Sequence, residues 1–340
     1  MQEILVVGGA GYIGSYMCKH LAGAGYLPVV LDNLATGHRA AVRYGPFFKG
    51  DLDDRALLEK IFHGHRIQAV MHFAAHCYVG ESVTDPARYY RNNVAATLSL
   101  LESMRQAGVR HLIFSSSCAV YGEPLQVPMD ETHPLRPINP YGRSKLMVEQ
   151  MLEDFASAYG LAAVRLRYFN AAGADPEASL GEDHRPETHL IPLVLQVALG
   201  QRPAVEIFGD DFSTTDGTCI RDYIHIADLA QAHGLALVRL LDGASGGVFN
   251  LGNGNGYSVR EVIETARRVT GKSIPARVVG RRDGDPSILV GSCRKARDEL
   301  GWQPRFGSLE SIVETAWRWH CGHPCGYDGQ QIMEWKADHE

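Results

Sequence analysis

The chain has 340 residues, 45% hydrophobic and 21% charged, with a formal net charge of −6. That composition is ordinary for a globular protein with ample chain to bury a core, and its acidic balance argues against a nucleic-acid-binding surface. No apolar run approaches the roughly 18–20 residues that cross a bilayer, the seven scattered cysteines fit reduced thiols, and the first residues show no signal pattern. A cytoplasmic enzyme is the expectation.

Glu3 to Val7 is a short apolar run. Gly8-Gly9-Ala10-Gly11-Tyr12-Ile13-Gly14-Ser15 follows directly, then a helical pattern through Met17 and Leu21. Glycines spaced G-x-x-G-x-x-G permit a tight turn and let a helix N-terminus approach a pyrophosphate. A glycine-rich turn alone has a bland explanation, but here a second strand, Pro28 to Leu31, ends in Asp32. An acid about 20 residues after such a turn suits the adenosine ribose diol. It also repels a 2′-phosphate, so NAD is expected over NADP, and His38 and Arg39 read as solvated loop residues.

Strands and helices alternate from there, which predicts a doubly wound parallel sheet of Rossmann type. Asp51, after the strand at Phe47 to Lys49, is placed to reach an adenine edge. The small residues of Phe73-Ala74-Ala75, after Ala69 to His72, let a cofactor pass close to backbone. The helix expected over 88–106 has two apolar stripes, one through Val94, Leu98 and Leu101 and one through Ala96, Leu100 and Met104. The helix over 146–158 also has more than one apolar face. Spare apolar faces suggest a helix-bundle homodimer.

Between these helices lies the stretch with the most chemistry. Leu112-Ile113-Phe114 reads as a buried strand, so Ser115-Ser116-Ser117 sits at its carboxyl end, the edge where open parallel sheets bind ligands. Tyr141 and Lys145, four apart at the head of the next helix, project from one face. A free phenol titrates near pH 10; a neighbouring ammonium and a bound nicotinamide cation both favour its phenolate. Tyr141, Lys145 and Ser117 are therefore the candidate catalytic residues.

After Arg167-Tyr168-Phe169-Asn170 the rhythm breaks. Residues 174–187, rich in charge, Gly and Pro, read as a long surface loop. Helices are expected at 190–199, 226–240, 259–270, 292–300 and 308–319. The division expected is a NAD-binding part, 1–171, and a smaller mixed α/β substrate part, 172–340, with segments returning to the first. His320-Cys321-Gly322-His323-Pro324-Cys325 packs four soft ligands together, but the spacing matches no standard zinc motif. An exposed tail with free thiols and no metal is expected.

These motifs together resemble the extended short-chain dehydrogenase/reductases and, within them, the UDP-sugar 4-epimerases. The resemblance is carried by GGAGYIGS at 8–15, DNLATG at 32–37, VGES at 79–82, NNVAAT at 92–97, SSSCAVYG at 115–122 and YGRSK at 141–145. RYFNAAGA at 167–174, IFGDDFSTTDGTCIRDYIH at 207–225, NLGNGNGYSV at 250–259 and RRDGD at 281–285 continue it. It implies reversible epimerisation at C4 of UDP-glucose and UDP-galactose through a transient 4-keto sugar, with bound NAD as hydride shuttle and Tyr141 as acid and base. Lys145 would hold the nicotinamide ribose and Ser117 the 4-hydroxyl. NAD would lie against Gly8, Gly11, Tyr12, Ile13, Gly14, Asp32, Asn33, Thr36 and Gly37. Asp51, Leu52, Phe73, Ala74, Ala75, Cys77, Asn93, Ser115 and Tyr168 would complete its site. The UDP-sugar would meet Asn170, His189, Leu190, Phe208 (uracil), Arg221 and Arg282 (diphosphate and ribose), Asp285 (ribose) and Leu289.

Three departures from the family pattern matter. Cys77 stands where a lysine is usual, with His76 a candidate replacement for its charge. Thr188-His189 stands where an asparagine pair is usual. Leu289 replaces a residue that limits room at the sugar 2-position, which leaves N-acetylated sugars open. UDP-N-acetylglucosamine, UDP-xylose, UDP-arabinose and UDP-glucuronate are alternative substrates on the same trio. A 4,6-dehydratase needs an acidic pair after the serine, and Cys118-Ala119-Val120 has none. A non-catalytic NAD-binding regulator predicts loss of the trio, which is intact.

Overall fold

The protein is described from a computed structural model covering residues 1–282, 285–328 and 330; Asp283 and Gly284 of the RRDGD motif lie outside the described residues. The strands are β1 (Glu3–Val7), β2 (Leu27–Asp32), β3 (Phe47–Lys49), β4 (Ile67–His72), β5 (His111–Ser117), β6 (Ala162–Tyr168) and β7 (Asn170–Ala172). They continue with β8 (Val205–Phe208), β9 (Ile220–His225), β10 (Gly246–Leu251), β11 (Gly256–Ser258), β12 (Ala276–Val279) and β13 (Ile288–Leu289).

Seven of them form one parallel sheet in the order β10-β6-β5-β4-β1-β2-β3. Alternate residues of β1 serve two apolar layers. Ile4 and Val6 join Met17, Leu21, Leu237 and Phe249 on one side, while Leu5 and Val7 join Leu58, Leu100, Val148 and Leu152 on the other. Burial on both faces is why these strands read as unbroken apolar runs. The winding reverses between β1 and β4, which opens a crevice at their carboxyl ends.

The helix expected over 88–106 is a composite: an α-turn at Pro86–Tyr89, π-helical turns at Tyr90–Ala95, then α-helix at Ala96–Gln106. The helix expected from 146 begins earlier, at Pro140, and runs to Tyr159. Pro140 suits a first helical position, and Asn139 caps it by accepting the Gly142 N–H at 2.8 Å. Tyr141 and Lys145 thus lie in its first turns. Of the spare apolar positions, Leu98 (39% exposed) and Met147 (41%) face outward, whereas Leu100, Leu101 and Met104 are buried.

Beyond Phe169, β9 pairs with β7 and β13 in parallel and with β11 antiparallel, and β8 pairs with β12. β10 and the helix Ile226–Leu241 return to the large sheet. The helices Leu190–Ala198, Val259–Thr270 and Leu309–Gly322 share a separate apolar cluster, and the helix expected at 292–300 spans Arg294–Leu300.

Two expectations are corrected. Residues 174–187 are irregular but not a surface loop: Ala174 and Leu180 are buried with Trp319 and Tyr327. Their charges are used inward, Asp175 taking Lys19 at 2.7 Å, and the Trp319 indole donates to the Glu182 carbonyl at 3.3 Å. Residues 320–322 are likewise the last turn of a helix rather than a free tail, with the His323 ring stacked 3.8 Å from Trp319; Cys321 and Cys325 are exposed free thiols.

Candidate active site

The glycine turn closes one side of the crevice. Gly8 has φ +83°, and a Cβ there would lie 2.6 Å from the Ala74 nitrogen; one on Gly14 would lie 2.1 Å from the Gly8 carbonyl oxygen. Glycine is required at both for turn, helix and the Phe73-Ala74 backbone to meet. Around Gly11 a Cβ would meet only the Gly8 oxygen, at 3.4 Å, so its outer side is open. Gly11 is also the N-cap of the helix Tyr12–Gly23 and brings no side-chain cap. The first N–H groups of that helix, at Tyr12 and Ile13, are left to an anion.

Asp32 closes the other side of the turn. It accepts Ala10 N–H at 2.9 Å on Oδ2 and Leu34 N–H at 2.8 Å on Oδ1. Burial pushes its carboxyl up, and these two bonds work against that. Each oxygen keeps a second acceptor position, as a ribose diol requires. Asn33 donates to Asp51 Oδ1 at 2.5 Å, Thr36 is exposed and Leu52 buried. Gly37 backs the turn, since a Cβ there would lie 2.8 Å from the Ala10 carbonyl carbon. Phe73 and Ala74 both donate to the Val7 carbonyl, at 2.8 and 3.2 Å, and bring the small residues to the crevice. An uncapped helix, close-approach glycines and a positioned carboxylate fit an adenine dinucleotide.

The trio lies at the end of β5. A Cβ on Gly142 would be 2.3 Å from the Ala119 carbonyl oxygen, so the Pro140–Tyr159 helix starts directly against the segment after Ser117. Lys145 is 3% exposed. Its Nζ donates to the Ser115 carbonyl at 2.8 Å and stands 5.9 Å from the Tyr141 ring centroid and 4.9 Å from that of Phe114. Burial pulls Lys145 down to about 8, opposed by Cys77 and Glu149. Burial first and Cys77 second hold the Tyr141 phenol well above its ordinary value, while the neighbouring Ser117 hydroxyl favours the phenolate. The ammonium therefore works against a larger desolvation, and a second positive charge is needed for Tyr141 to act as a base. Tyr168 donates to Ser115 Oγ.

Asn93, in the π-helical turns, accepts His76 N–H at 2.9 Å and donates to the His76 carbonyl and Ser144 Oγ, each at 3.0 Å. It clamps the segment after Ala75 to the helix bearing Tyr141. His76 does not replace a lysine charge: its Nε2 accepts from Arg88 Nε at 3.2 Å, and burial and Arg88 hold the imidazole down and neutral. The Cys77 thiol is reachable from solvent yet walled by protein; burial pushes it up, with His189 and Lys145 pulling down.

The second half of the site is an open cleft with about 830 Å³ of space. Asn170, His189, Leu190, Phe208, Arg221 and Arg282 all line it. The Arg282 guanidinium lies 4.4 Å over the Phe208 ring. Asp285 takes Arg221 at 3.1 Å and Arg282 at 3.3 Å, so one carboxylate aims two guanidiniums and leaves a positive balance for a diphosphate. Leu289 pairs in register with Arg221 and packs by Tyr121 and Phe169. His189 Nδ1 lies 2.8 Å from Glu182 and 3.1 Å from Glu187. Burial disfavours its charge, but these carboxylates outweigh burial and hold the imidazolium well above its ordinary range. The trio is not part of this lining; Asn170, two residues past Tyr168, and Cys77, acted on by both His189 and Lys145, connect the two halves.

A profile of the NAD dependent epimerase/dehydratase family matches residues 4–252. The chain belongs to that family. It is 55% identical to the UDP-glucose 4-epimerase of Halalkalibacterium halodurans, over 95% of this chain and 97% of that one. Identity to the UDP-glucose 4-epimerase of Streptomyces lividans is also 55%, over 96% and 98%. Among solved structures, the UDP-glucose 4-epimerase of Brucella ovis in complex with NAD superposes with TM-score 0.91 at 51% identity, covering 94% of this chain and 98% of that one. The enzyme from Bifidobacterium longum in complex with NAD+ and UDP does so with TM-score 0.90 at 38% identity, covering 96% and 100%.

Sequence reasoning missed what stands behind the trio of this epimerase/dehydratase family member. Glu149 and Arg167, both buried, pair through Arg167 Nη2 at 2.5 Å and Nε at 2.9 Å. Ser116 donates to the same Glu149 at 2.5 Å, and Arg167 reaches the Tyr121 hydroxyl at 3.1 Å, which donates to Asn250 at 2.6 Å. The network pins β5, β6, β10 and the Pro140–Tyr159 helix together beneath the site. An arginine inside an apolar strand and a glutamate on an apolar helix face were the available signals. Cys219 and Tyr223 also line the open cleft and carried no signal of their own; Thr188, noted as a departure from the family pattern, lines it too.

Proposed function

We propose that the chain interconverts UDP-glucose and UDP-galactose by epimerisation at C4, using a NAD that stays bound. The observation that carries this reading is the arrangement of Ser117, Tyr141 and Lys145 on the crevice beside a cleft that presents Arg221 and Arg282 to a diphosphate. NAD is the cofactor; when bound, it would supply the hydride acceptor and donor for C4 of the sugar. Gly8, Gly11 and Gly14 receive its diphosphate and Asp32 its adenosine ribose. Lys145 would bind the nicotinamide ribose and would add its charge to the nicotinamide's at Tyr141.

Tyr141 removes the proton of the 4-hydroxyl, and Ser117 holds that oxygen in line with it. The C4 carbonyl of the resulting 4-keto sugar must then turn its other face to the same groups. Arg221 and Arg282 anchor the diphosphate while the sugar turns, which explains why the anchoring charges sit at the nucleotide end. Tyr141 returns its proton to the new alkoxide and the cycle closes without net oxidation. Asn93 and the Glu149–Arg167 network position the trio and touch no substrate.

The test is turnover of UDP-galactose to UDP-glucose with no NAD added, run beside UDP-N-acetylgalactosamine and UDP-xylose. Conversion of UDP-galactose supports the proposal. Turnover of only the N-acetyl or pentose sugar overturns the substrate and keeps the mechanism, and no turnover with NAD supplied refutes both. We also infer a homodimer, since Leu98 and Met147 leave two neighbouring helices with outward apolar residues; sedimentation of a monomer at micromolar concentration would refute it.

A further inference from the structure

Outside the trio, four side chains of the stretch 182–189 converge on one point beside the nucleotide cleft. Glu182, His184, Glu187 and His189 each offer one ligand atom, and all four atoms lie within 4.8 Å of one another. His184 Nδ1 is 3.1 Å from Glu182 Oε1 and 3.8 Å from Glu187 Oε2. His189 Nδ1 is 2.8 Å from Glu182 Oε1 and 3.1 Å from Glu187 Oε1. Metal–ligand bonds of about 2.0–2.1 Å in a tetrahedron put neighbouring ligand atoms about 3.3 Å apart, and the three separations that use one oxygen per carboxylate, 3.1, 2.8 and 3.1 Å, lie close to that edge. Two imidazoles with two carboxylates suit zinc and its neighbours rather than calcium or magnesium.

The charges are compatible with a bound cation. The side chains of Glu182 and Glu187 are 5% and 4% exposed, and among the described residues neither forms an ion pair with a lysine or arginine. The adjacent Arg185 is turned to Asp183 and Asp328. Without an ion their partner charge is the His189 imidazolium, and Glu187 Oε1 also accepts the Thr188 and His189 N–H groups; a divalent cation on the neutral imidazole would take over that role. A way in exists: an open cavity with about 600 Å³ of space is lined by Glu182, His184 and Glu187, with His320 and His323 also on its wall.

The geometry points to a divalent transition-metal site of the zinc type, held by Glu182, His184, Glu187 and His189. His189 is the N-cap residue of the helix Leu190–Ala198, and the Glu182 carbonyl is held by Trp319. The ion therefore ties the floor of the nucleotide cleft to the helix Leu309–Gly322. This site stands independently of the reaction assigned above.

The experiment uses the tag-free full chain as purified with its NAD, freed of metal by a chelator and then titrated calorimetrically with Zn²⁺ alone. Co²⁺ is added in parallel as the spectroscopic probe. Expected are one Zn²⁺ per chain, a raised melting temperature, and the intense visible bands of four-coordinate cobalt. Glu182→Gln and His184→Gln should each weaken binding by about tenfold or more, whereas the C321S/C325S variant should bind as the parent does. If Glu182→Gln fails to fold, His184→Gln, whose side chain reaches the cavity, decides alone. Absence of saturable binding, a six-coordinate cobalt spectrum, unchanged binding in His184→Gln, or loss in C321S/C325S would each overturn the site.

Discussion

Replacing Lys145 by Met separates what the site needs for chemistry from what the fold needs for stability. The Lys145 ammonium lies 5.9 Å from the Tyr141 ring centroid. Taking that as the separation of the charges and an effective dielectric constant of about 20, its attraction to the phenolate is about 3 kcal/mol, or roughly 2 pKa units. Lys145→Met should therefore cut the phenolate fraction, and with it kcat, about 100-fold near neutral pH. Stability moves the other way. Burial holds the Lys145 pKa at about 8 against an ordinary 10.5. Below pH 8 both folded and unfolded chains are protonated here, and keeping the charge inside costs about 3 kcal/mol. Methionine removes that cost, while the lost donor to the Ser115 carbonyl offsets part of the gain. The urea midpoint at pH 7 should be equal or higher.

The assay is kcat against pH from 6 to 10 in parent and variant, each normalised to its measured NAD content so that weaker ribose binding is not mistaken for lost chemistry. The variant's profile should rise at a pH about 2 units higher than the parent's. A uniform loss with an unshifted profile would refute the electrostatic role, and unchanged activity would refute the trio itself.

Two further expectations follow from buried groups. His72, His225 and His233 are buried, and burial holds their pKa values down to about 3, 3 and 4. The unfolded chain takes up their protons below about pH 6.5 while the folded one does not. The stability present above that pH is lost as pH falls, at about 4 kcal/mol per unit between 6 and 4. Urea midpoints at pH 7 and pH 5 measure this, and His72→Gln should lower the slope by one proton; an unchanged slope would contradict the assignment. Asp32→Ala leaves the Ala10 and Leu34 N–H groups without their acceptor. It should lower the melting temperature and release NAD on gel filtration, read from the dinucleotide recovered after denaturation; full retention of NAD would remove Asp32 from the cofactor site.

The cofactor turn and the trio were legible because their logic is local. Gly8, Gly11 and Gly14 act within one strand–turn–helix, and Tyr141 and Lys145 share one helix face. The Tyr121–Asn250 bond spans 129 residues and the Arg167–Tyr121 bond 46, so nothing in the neighbouring sequence announces that these groups meet. Residues 174–187 misled for a related reason. Their charge and glycine content is that of a surface loop, yet Asp175 is paired with Lys19 and the Glu182 carbonyl with Trp319, both distant in sequence, and both residues are buried. The π-helical turns around Asn93 were also invisible, because the apolar spacing of Leu100, Leu101 and Met104 resumes unbroken after them. Lys145 could be placed from sequence, but the opposing burial of Tyr141 needed the surrounding walls.

The central claim is that hydride leaves C4 and returns to C4 within one closed site. It is tested most directly with UDP-galactose deuterated at C4, converted in ordinary water without added NAD. The deuterium should be retained at C4 of the UDP-glucose formed, and the converse run with unlabelled substrate in heavy water should leave C4 unlabelled. Washing out of the label, or its entry from solvent, would mean proton chemistry at C4 and would contradict the mechanism.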